Sequence, residues 1–148
     1  MALLCADEFP ELDINKVIKM CLIHDFGEAI TGDIPSFLKT DDHEKTENEA
    51  IDELCSLAPE AGLSEPFSEM REIKTPEAKL YKALDNLEAV ISHNEADLST
   101  WTELEYDLNL TYGEKNCQNF EWTKALRAEL KRSSLEKIER NNYEKNLQ

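Results

Sequence analysis

Four side chains able to hold a metal ion or move a proton, His24, Asp25, Glu28 and Asp33, fall within ten positions of one another, with glycines at 27 and 32 between them. On a helix, His24 and Glu28 are i,i+4 neighbours and Asp25 and Glu28 are i,i+3 neighbours, so all three could lean toward one cavity. Neutral imidazole and carboxylate suit Zn, Mn, Fe or Co, and an acid one turn away can manage the proton of a water on such an ion. The same spacings also occur on ordinary solvated helix faces. The residues before the motif favour a site: Val17, Ile18, Met20, Cys21, Leu22 and Ile23 are nearly continuously apolar, which predicts a buried helix. Charge at a buried helix end is expensive unless it is paired or bound to metal.

The elements that must carry these groups read as helices. Asp13 is the N-cap expected for a helix running to about Asp25, with Ile14, Val17, Ile18, Cys21 and Leu22 on its apolar face. Gly32-Asp33-Ile34-Pro35 then breaks the helical register, which predicts a loop beside the site, walled in part by Pro35-Ser36-Phe37-Leu38. From Lys39 to Leu54 the chain opens with helix-capping residues and brings Ala50, Ile51, Leu54 and Leu57 to helical spacing. Its acids, and His43 among them, read as a solvated face. Pro59 to Pro66 reads as a break around Gly62, followed by a short helix over Phe67 to Ile73. Thr75-Pro76-Glu77 is a helix start, and that helix should run to about Asn94 with Ala78, Tyr81, Leu84, Leu87, Val90 and Ile91 inward.

Beyond it, Trp101 to Leu110 predicts a short helix and Thr111-Tyr112-Gly113 a turn. Phe120 to Ile138 predicts an amphipathic helix with Lys124, Arg127, Lys131 and Arg132 exposed. No β-alternation of any length occurs, so the expected fold is all-α. Residues 141–148 read as a frayed tail.

At 148 residues the chain has the size of one domain, and 32 acidic against 16 basic residues give a net charge of −16. Such a field argues against polymeric nucleic acid or an anionic membrane surface as partner. A small phosphate ester stays admissible, because a divalent ion inverts the field locally. Cys5, Cys21, Cys55 and Cys117 form no C-x-x-C pair and read as reduced thiols of a cytoplasmic protein. Neither a signal peptide nor a membrane span is readable.

Residues 23 to 35, Ile-His-Asp-Phe-Gly-Glu-Ala-Ile-Thr-Gly-Asp-Ile-Pro, resemble the core motif of the HD-domain metal-dependent phosphohydrolases. Within them the stretch is most similar to the 5′-deoxynucleotidase-like branch, with its HD-x-x-E-x-x-x-x-GD pattern. Glu77-Ala-Lys-Leu-Tyr-Lys-Ala-Leu-Asp-Asn-Leu-Glu88 looks like the later helix that carries the family's last ligand aspartate, here Asp85. The resemblance implies an HD-type helical bundle over residues 1–140. His24, Asp25 and Asp85 would be metal ligands, Glu28 the acid handling the proton of the attacking water or of the leaving oxygen, and Asp33 a catalytic and substrate-binding group, contacting the sugar or helping to position the nucleophile. Glu47 or Glu49, on a helix that lies near the site in such proteins, could reach it.

The implied cofactor is a divalent metal (Mn, Co, Zn, Fe or Mg), the implied substrate a (deoxy)nucleoside 5′-monophosphate, and the implied assembly a homodimer. The family also places a histidine ligand and an Arg-Trp segment earlier in the chain. No histidine or arginine precedes His24 here, so an N-terminally truncated HD domain, lacking its first helices, is expected. His93 stands eight residues after Asp85, about 12 Å along a helix, too far to replace the missing ligand. Two other outcomes stay open: a different HD-type nucleotide hydrolase or phosphodiesterase, or an inactive helical dimer or partner-binding module.

Overall fold

A computed structural model describes residues 1–35 and 38–145; Ser36 and Phe37 of the expected wall and the last three residues of the expected tail lie outside the described residues. Every regular element among the described residues is helical, in agreement with the all-α reading. The chain divides into two compact units: residues 10–81, which carry the His-Asp motif, and residues 1–9 together with 82–148.

In the motif unit, α1 (Ile14–Ile23) starts where Asp13 accepts a hydrogen bond from the Lys16 amide at 3.1 Å, the N-cap expected from the sequence. Val17, Met20 and Ile23 are buried at i, i+3 and i+6, each worth about 1.5–3 kcal/mol of burial. Two expectations fail here. The helix stops at Ile23, short of Asp25, and Leu22 is 72% exposed instead of lying on the buried face. After a tight turn comes the single turn of α2 (Glu28–Thr31), and then α3 (Asp41–Leu57).

The start of α3 is a reciprocal cap. Thr40 Oγ1 accepts from the His43 amide, and His43 Nδ1 accepts from the Thr40 amide. Ala50 and Ile51 face inward as expected, whereas Leu57 is exposed. Next, α4 (Ser64–Glu72) begins at Ser64 and not at Phe67. Pro66 sits within its first turn, where the missing amide hydrogen is no loss. Lys16 and Glu69 form an ion pair linking α1 to α4, and Glu69 also accepts from Thr75 Oγ1 at 2.7 Å. Arg71 donates to the Asn48 carbonyl at 3.0 Å and to Asp52 at 2.8 Å, linking α4 to α3.

The boundary between the units falls within α5 (Pro76–Glu95), which begins at the expected Thr75 cap; Thr75 Oγ1 accepts from the Ala78 amide at 3.3 Å. In the second unit Leu84, Leu87 and Val90 of α5 are buried, followed by α6 (Glu103–Thr111), α7 (Glu114–Cys117) and α8 (Glu121–Lys145). Phe9, from the first nine residues, packs edge-on against Phe120 and Trp122 at ring separations of 5.2 and 6.2 Å. Gly113 closes the expected turn at φ +72°, and a Cβ there would stand 2.5 Å from Asn86 Cβ, so only glycine fits.

Arg127, expected on a solvated face, is 2% exposed. Its Nε donates to the Tyr112 carbonyl at 2.9 Å and its Nη2 to the Asn109 carbonyl at 3.1 Å, which places a cation on the open carbonyls at the end of α6. Burial lowers its pKa from the usual guanidinium range. Lys124 and Arg132 are exposed as expected, while Lys131 is half-buried and donates to Glu114 at 2.8 Å. The final helix also outlasts its expected end at Ile138, running to Lys145 through part of the supposed tail.

Candidate metal and phosphate-ester site

The motif is not a continuous α-helix. Between α1 and α2 the amides of Phe26, Glu28 and Ala29 bond back three residues, to Ile23, Asp25 and Phe26, so the chain tightens as it passes His24 and Asp25. The tightened turn replaces the simple i,i+4 relation between His24 and Glu28 expected from the sequence.

His24 Nδ1 stands 2.9 Å from the Cys21 carbonyl, which can only accept, so Nδ1 carries a ring hydrogen and Nε2 is the nitrogen left to face a ligand. Nε2 in turn stands 3.0 Å from Asp25 Oδ2. Bonds of about 2.0–2.2 Å at angles of about 90–110° put two donors on one ion about 3–3.5 Å apart, so this nitrogen and oxygen fit a shared divalent metal. A backbone carbonyl on the far ring nitrogen is the usual support for a ligating histidine. Tyr81 lies edge-on to the imidazole, with ring centres 6.0 Å apart. Among the described residues, no group of three or more His, Cys, Asp or Glu side chains is gathered for a metal; the fit is that of the His24–Asp25 pair.

Glu28 opens α2 with its side chain 21% exposed. Burial raises its pKa above the ordinary carboxylate range, the charges of Asp25, Asp33 and Glu47 push the same way, and Lys39 opposes them. An acid whose proton is held more tightly than usual suits proton transfer near neutrality. Asp33 is exposed, just past the end of α2, and so is Asp25, whose side chain is 58% exposed rather than at the buried helix end expected from the sequence.

Asp85 belongs to the second unit, where it is half-buried and accepts from Lys82 Nζ at 2.8 Å. His43 is exposed and caps α3, and His93 pairs with Glu105 at 3.3 Å. Neither stands in for a ligand in these contacts.

Two residues near Glu28 were undervalued in the sequence. Lys39 Nζ lies 2.7 Å from Glu47 Oε2 and 3.8 Å from Glu28 Oε1. Burial pulls the Lys39 pKa down, but the hydrogen bond it donates to Glu47 and the charges of Glu47, Glu28 and Asp25 outweigh it and the net shift is upward. Glu49, by contrast, is exposed and pairs with Lys45. The signal for Glu47 is Gly27: a Cβ on that buried glycine would stand 2.7 Å from Glu47 Cγ and 3.1 Å from the Glu47 carbonyl. A glycine inside a helical pattern marks such a close approach. A cavity of about 140 Å³ lies alongside, bordered by Thr31, Ile34, Lys39, His43 and Glu47.

Comparison with known proteins decides the family. The sequence profile of the HD domain matches residues 1–126. The chain belongs to the HD-domain family. Among curated HD-domain relatives, 5′-deoxynucleotidase HDDC2 of Dictyostelium discoideum is 36% identical over 93 residues, covering 60% of this chain and 49% of that protein. The protein of the same name from Danio rerio is 34% identical over 93 residues, covering 57% of this chain and 46% of its own length. The 5′-deoxynucleotidase hdd1 of Schizosaccharomyces pombe is 28% identical over 131 residues, covering 82% of this chain and 60% of that protein. This HD-domain chain therefore spans about half the length of the first curated relatives it matches. No solved structure matches it.

Proposed function

We propose that this HD-domain chain is part of a divalent-metal-dependent phosphohydrolase that converts (deoxy)nucleoside 5′-monophosphates to nucleoside and phosphate. The observation that carries the reading is the pair of donors, His24 Nε2 and Asp25 Oδ2, 3.0 Å apart, with the half-buried Glu28 in the turn that follows. The names of the relatives, 5′-deoxynucleotidases, support the substrate class.

In this reading His24 and Asp25 hold the ion, and Asp85 is a further ligand only as the family resemblance implies. A divalent ion such as Mn, Co, Zn, Fe or Mg supplies Lewis-acid polarisation of the phosphoryl group and a lowered water pKa. The Cys21 carbonyl fixes the His24 tautomer, so the imidazole presents its lone pair without rearrangement. Glu28 takes a proton from the attacking water as the new P–O bond forms. The bond to the 5′ oxygen breaks, and the proton taken up by Glu28 passes to that oxygen, which leaves as the nucleoside alcohol. Asp33, exposed at the rim, accepts hydrogen bonds from the sugar hydroxyls.

The decisive experiment compares Glu28→Gln with the parent chain for metal content and for phosphate released from deoxynucleoside 5′-monophosphates with added Mn, Co or Zn. The variant should lose turnover and keep its metal. Equal loss of both would make Glu28 a ligand or a structural group. A panel with nucleoside triphosphates, cyclic nucleotides and guanosine polyphosphates separates the nucleotidase reading from other HD-type hydrolysis.

The homodimer is proposed on a second observation. Leu22, Phe26 and Ile30, in and beside the motif, are 72%, 42% and 52% exposed, apolar surface of the kind that a subunit interface covers. Sedimentation should show a dimer that Leu22→Glu dissociates. No helix among the described residues is long and apolar enough to cross a membrane. The cytoplasm is the compartment proposed, with buried Cys5 and Cys117 kept as thiols.

A further inference from the structure

Building on the assignment of Glu28 as the proton-handling acid, we infer that Lys39 is a positioning residue for Glu28 and that Glu47 holds Lys39 in place. The two contacts of the ammonium differ in kind. At 2.7 Å, Lys39 and Glu47 share a hydrogen bond, while at 3.8 Å Glu28 feels the charge without being engaged as a hydrogen-bond acceptor. Lys39 therefore draws the Glu28 carboxylate to one side without occupying the oxygen that must receive a proton. A lysine bonded directly to Glu28 would take up one of its lone-pair sites and favour the charged carboxylate.

The surroundings make this arrangement more than a surface ion pair. The side chains of Lys39, Glu28 and Glu47 are 27%, 21% and 17% exposed, so salt and water screen them less than a solvated pair. Lys39 stands in the loop before α3, whereas Glu47 lies within α3, so their bond fastens the loop to the helix. Glu47 is fixed from the other side as well, because Gly27 lets α3 approach until the Glu47 backbone carbonyl lies 3.1 Å from where a Cβ would be. The neighbouring cavity of about 140 Å³ gives the ammonium room to swing away once Glu47 no longer holds it. Loss of the Glu47 charge should accordingly resemble loss of Lys39 itself.

The test uses Lys39→Met, Lys39→Arg, Glu47→Gln and the Lys39→Met/Glu47→Gln double variant of the whole chain, with Mn and deoxyadenosine 5′-monophosphate. Misplacing a catalytic acid by about 1 Å costs on the order of 100-fold. Lys39→Met should therefore lower kcat about 10- to 100-fold while KM and metal content stay within about twofold. Lys39→Arg should restore most of the rate, Glu47→Gln should follow Lys39→Met in direction, and the double variant should be no worse than Lys39→Met alone.

A urea-unfolding cycle on the same variants should show Lys39 and Glu47 coupled by about fivefold in the unfolding constant. An unchanged kcat in Lys39→Met overturns the inference. So does a rise in KM alone, which would make the ammonium a substrate contact, and so does additivity in the unfolding cycle. A parent chain with metal but no turnover on any nucleotide would overturn the phosphohydrolase reading and the catalytic half of this one. The unfolding cycle would still decide whether Glu47 holds Lys39.

Discussion

Replacing Gly27 with alanine sets two calculable effects against each other. Gly27 is buried, and its backbone is right-handed helical, φ −59° and ψ −34°. Alanine adopts those angles readily, and by helix propensity alone it should stabilise the turn by about 0.5–1 kcal/mol. The added Cβ, however, would stand 2.7 Å from Glu47 Cγ, 3.1 Å from the Glu47 carbonyl and 3.1 Å from Ile51 Cγ1. The Glu47 side chain could yield only by giving up its 2.7 Å bond to Lys39, and the carbonyl can yield only if α3 moves. Forcing extra methylenes into a packed site costs about 1–3 kcal/mol. The balance is a net loss of about 1–2 kcal/mol, or about 3–8 °C in Tm for a chain of this size. Urea unfolding followed by far-ultraviolet circular dichroism measures it directly. Adding Glu47→Ala removes the Cγ and should recover part of the loss, so the pair should be non-additive. A Gly27→Ala chain as stable as its parent, or more so, would refute the close approach of α3 to the motif turn.

Three further outcomes follow from named contacts. The hydrogen bond from Lys16 and that from Thr75 hold the Glu69 carboxyl below its ordinary range. A depressed folded pKa contributes stability that is present above the unfolded value of about 4.3 and is lost as pH falls through the folded value. Glu69→Gln should therefore unfold about 1–2 kcal/mol more easily than the parent at pH 7, a gap that closes below about pH 4 in urea titrations. Arg127→Met should cost about 1–3 kcal/mol because the Tyr112 and Asn109 carbonyls lose their donor, while exposed Lys124→Met changes stability by under about 0.5 kcal/mol. Chelation should abolish phosphate release, and added Mn should restore it, if His24 and Asp25 hold the ion as proposed.

What the sequence conveyed well were groups whose behaviour depends on near neighbours in the chain. Asp13 and Thr75 cap the helices expected of them. Of the residues expected inward on α5, Ala78, Tyr81, Leu84, Leu87 and Val90 are buried, whereas Ile91 is only half-buried and Leu80, Ala83 and Asn86 are buried as well. What it conveyed poorly depended on partners far along the chain. Arg127 shares the helical spacing of ordinary surface cations, and only the carbonyls at the end of α6, fifteen and eighteen residues earlier, explain its burial. Leu22 fits an apolar stripe by type yet faces outward, because periodicity fixes which residues share a face and not how wide a strip the neighbours cover. At Ile23, the run of apolar residues suggested that α1 carried on through the motif. Gly27 serves the approach of α3 to the turn that follows, since its own backbone angles are ones any residue adopts, and that role is visible only once α3 is set against it.

That glycine joins the two halves of the functional argument. With any larger residue, α3 would stand off, Glu47 would retreat from Lys39, and Glu28 would face Asp25 and Asp33 with their repulsion less opposed. The turn that sets His24 Nε2 3.0 Å from Asp25 Oδ2 is the same turn that admits α3, so donor geometry and the electrostatic setting of Glu28 are not separable properties of the motif. In a chain of net charge −16 this matters. An acidic site can accept a phosphate ester only if positive charge is held close to the acids proposed to do the chemistry, and among the described residues Lys39 supplies such charge beside Glu28, with Glu47 and the missing side chain of Gly27 keeping it there.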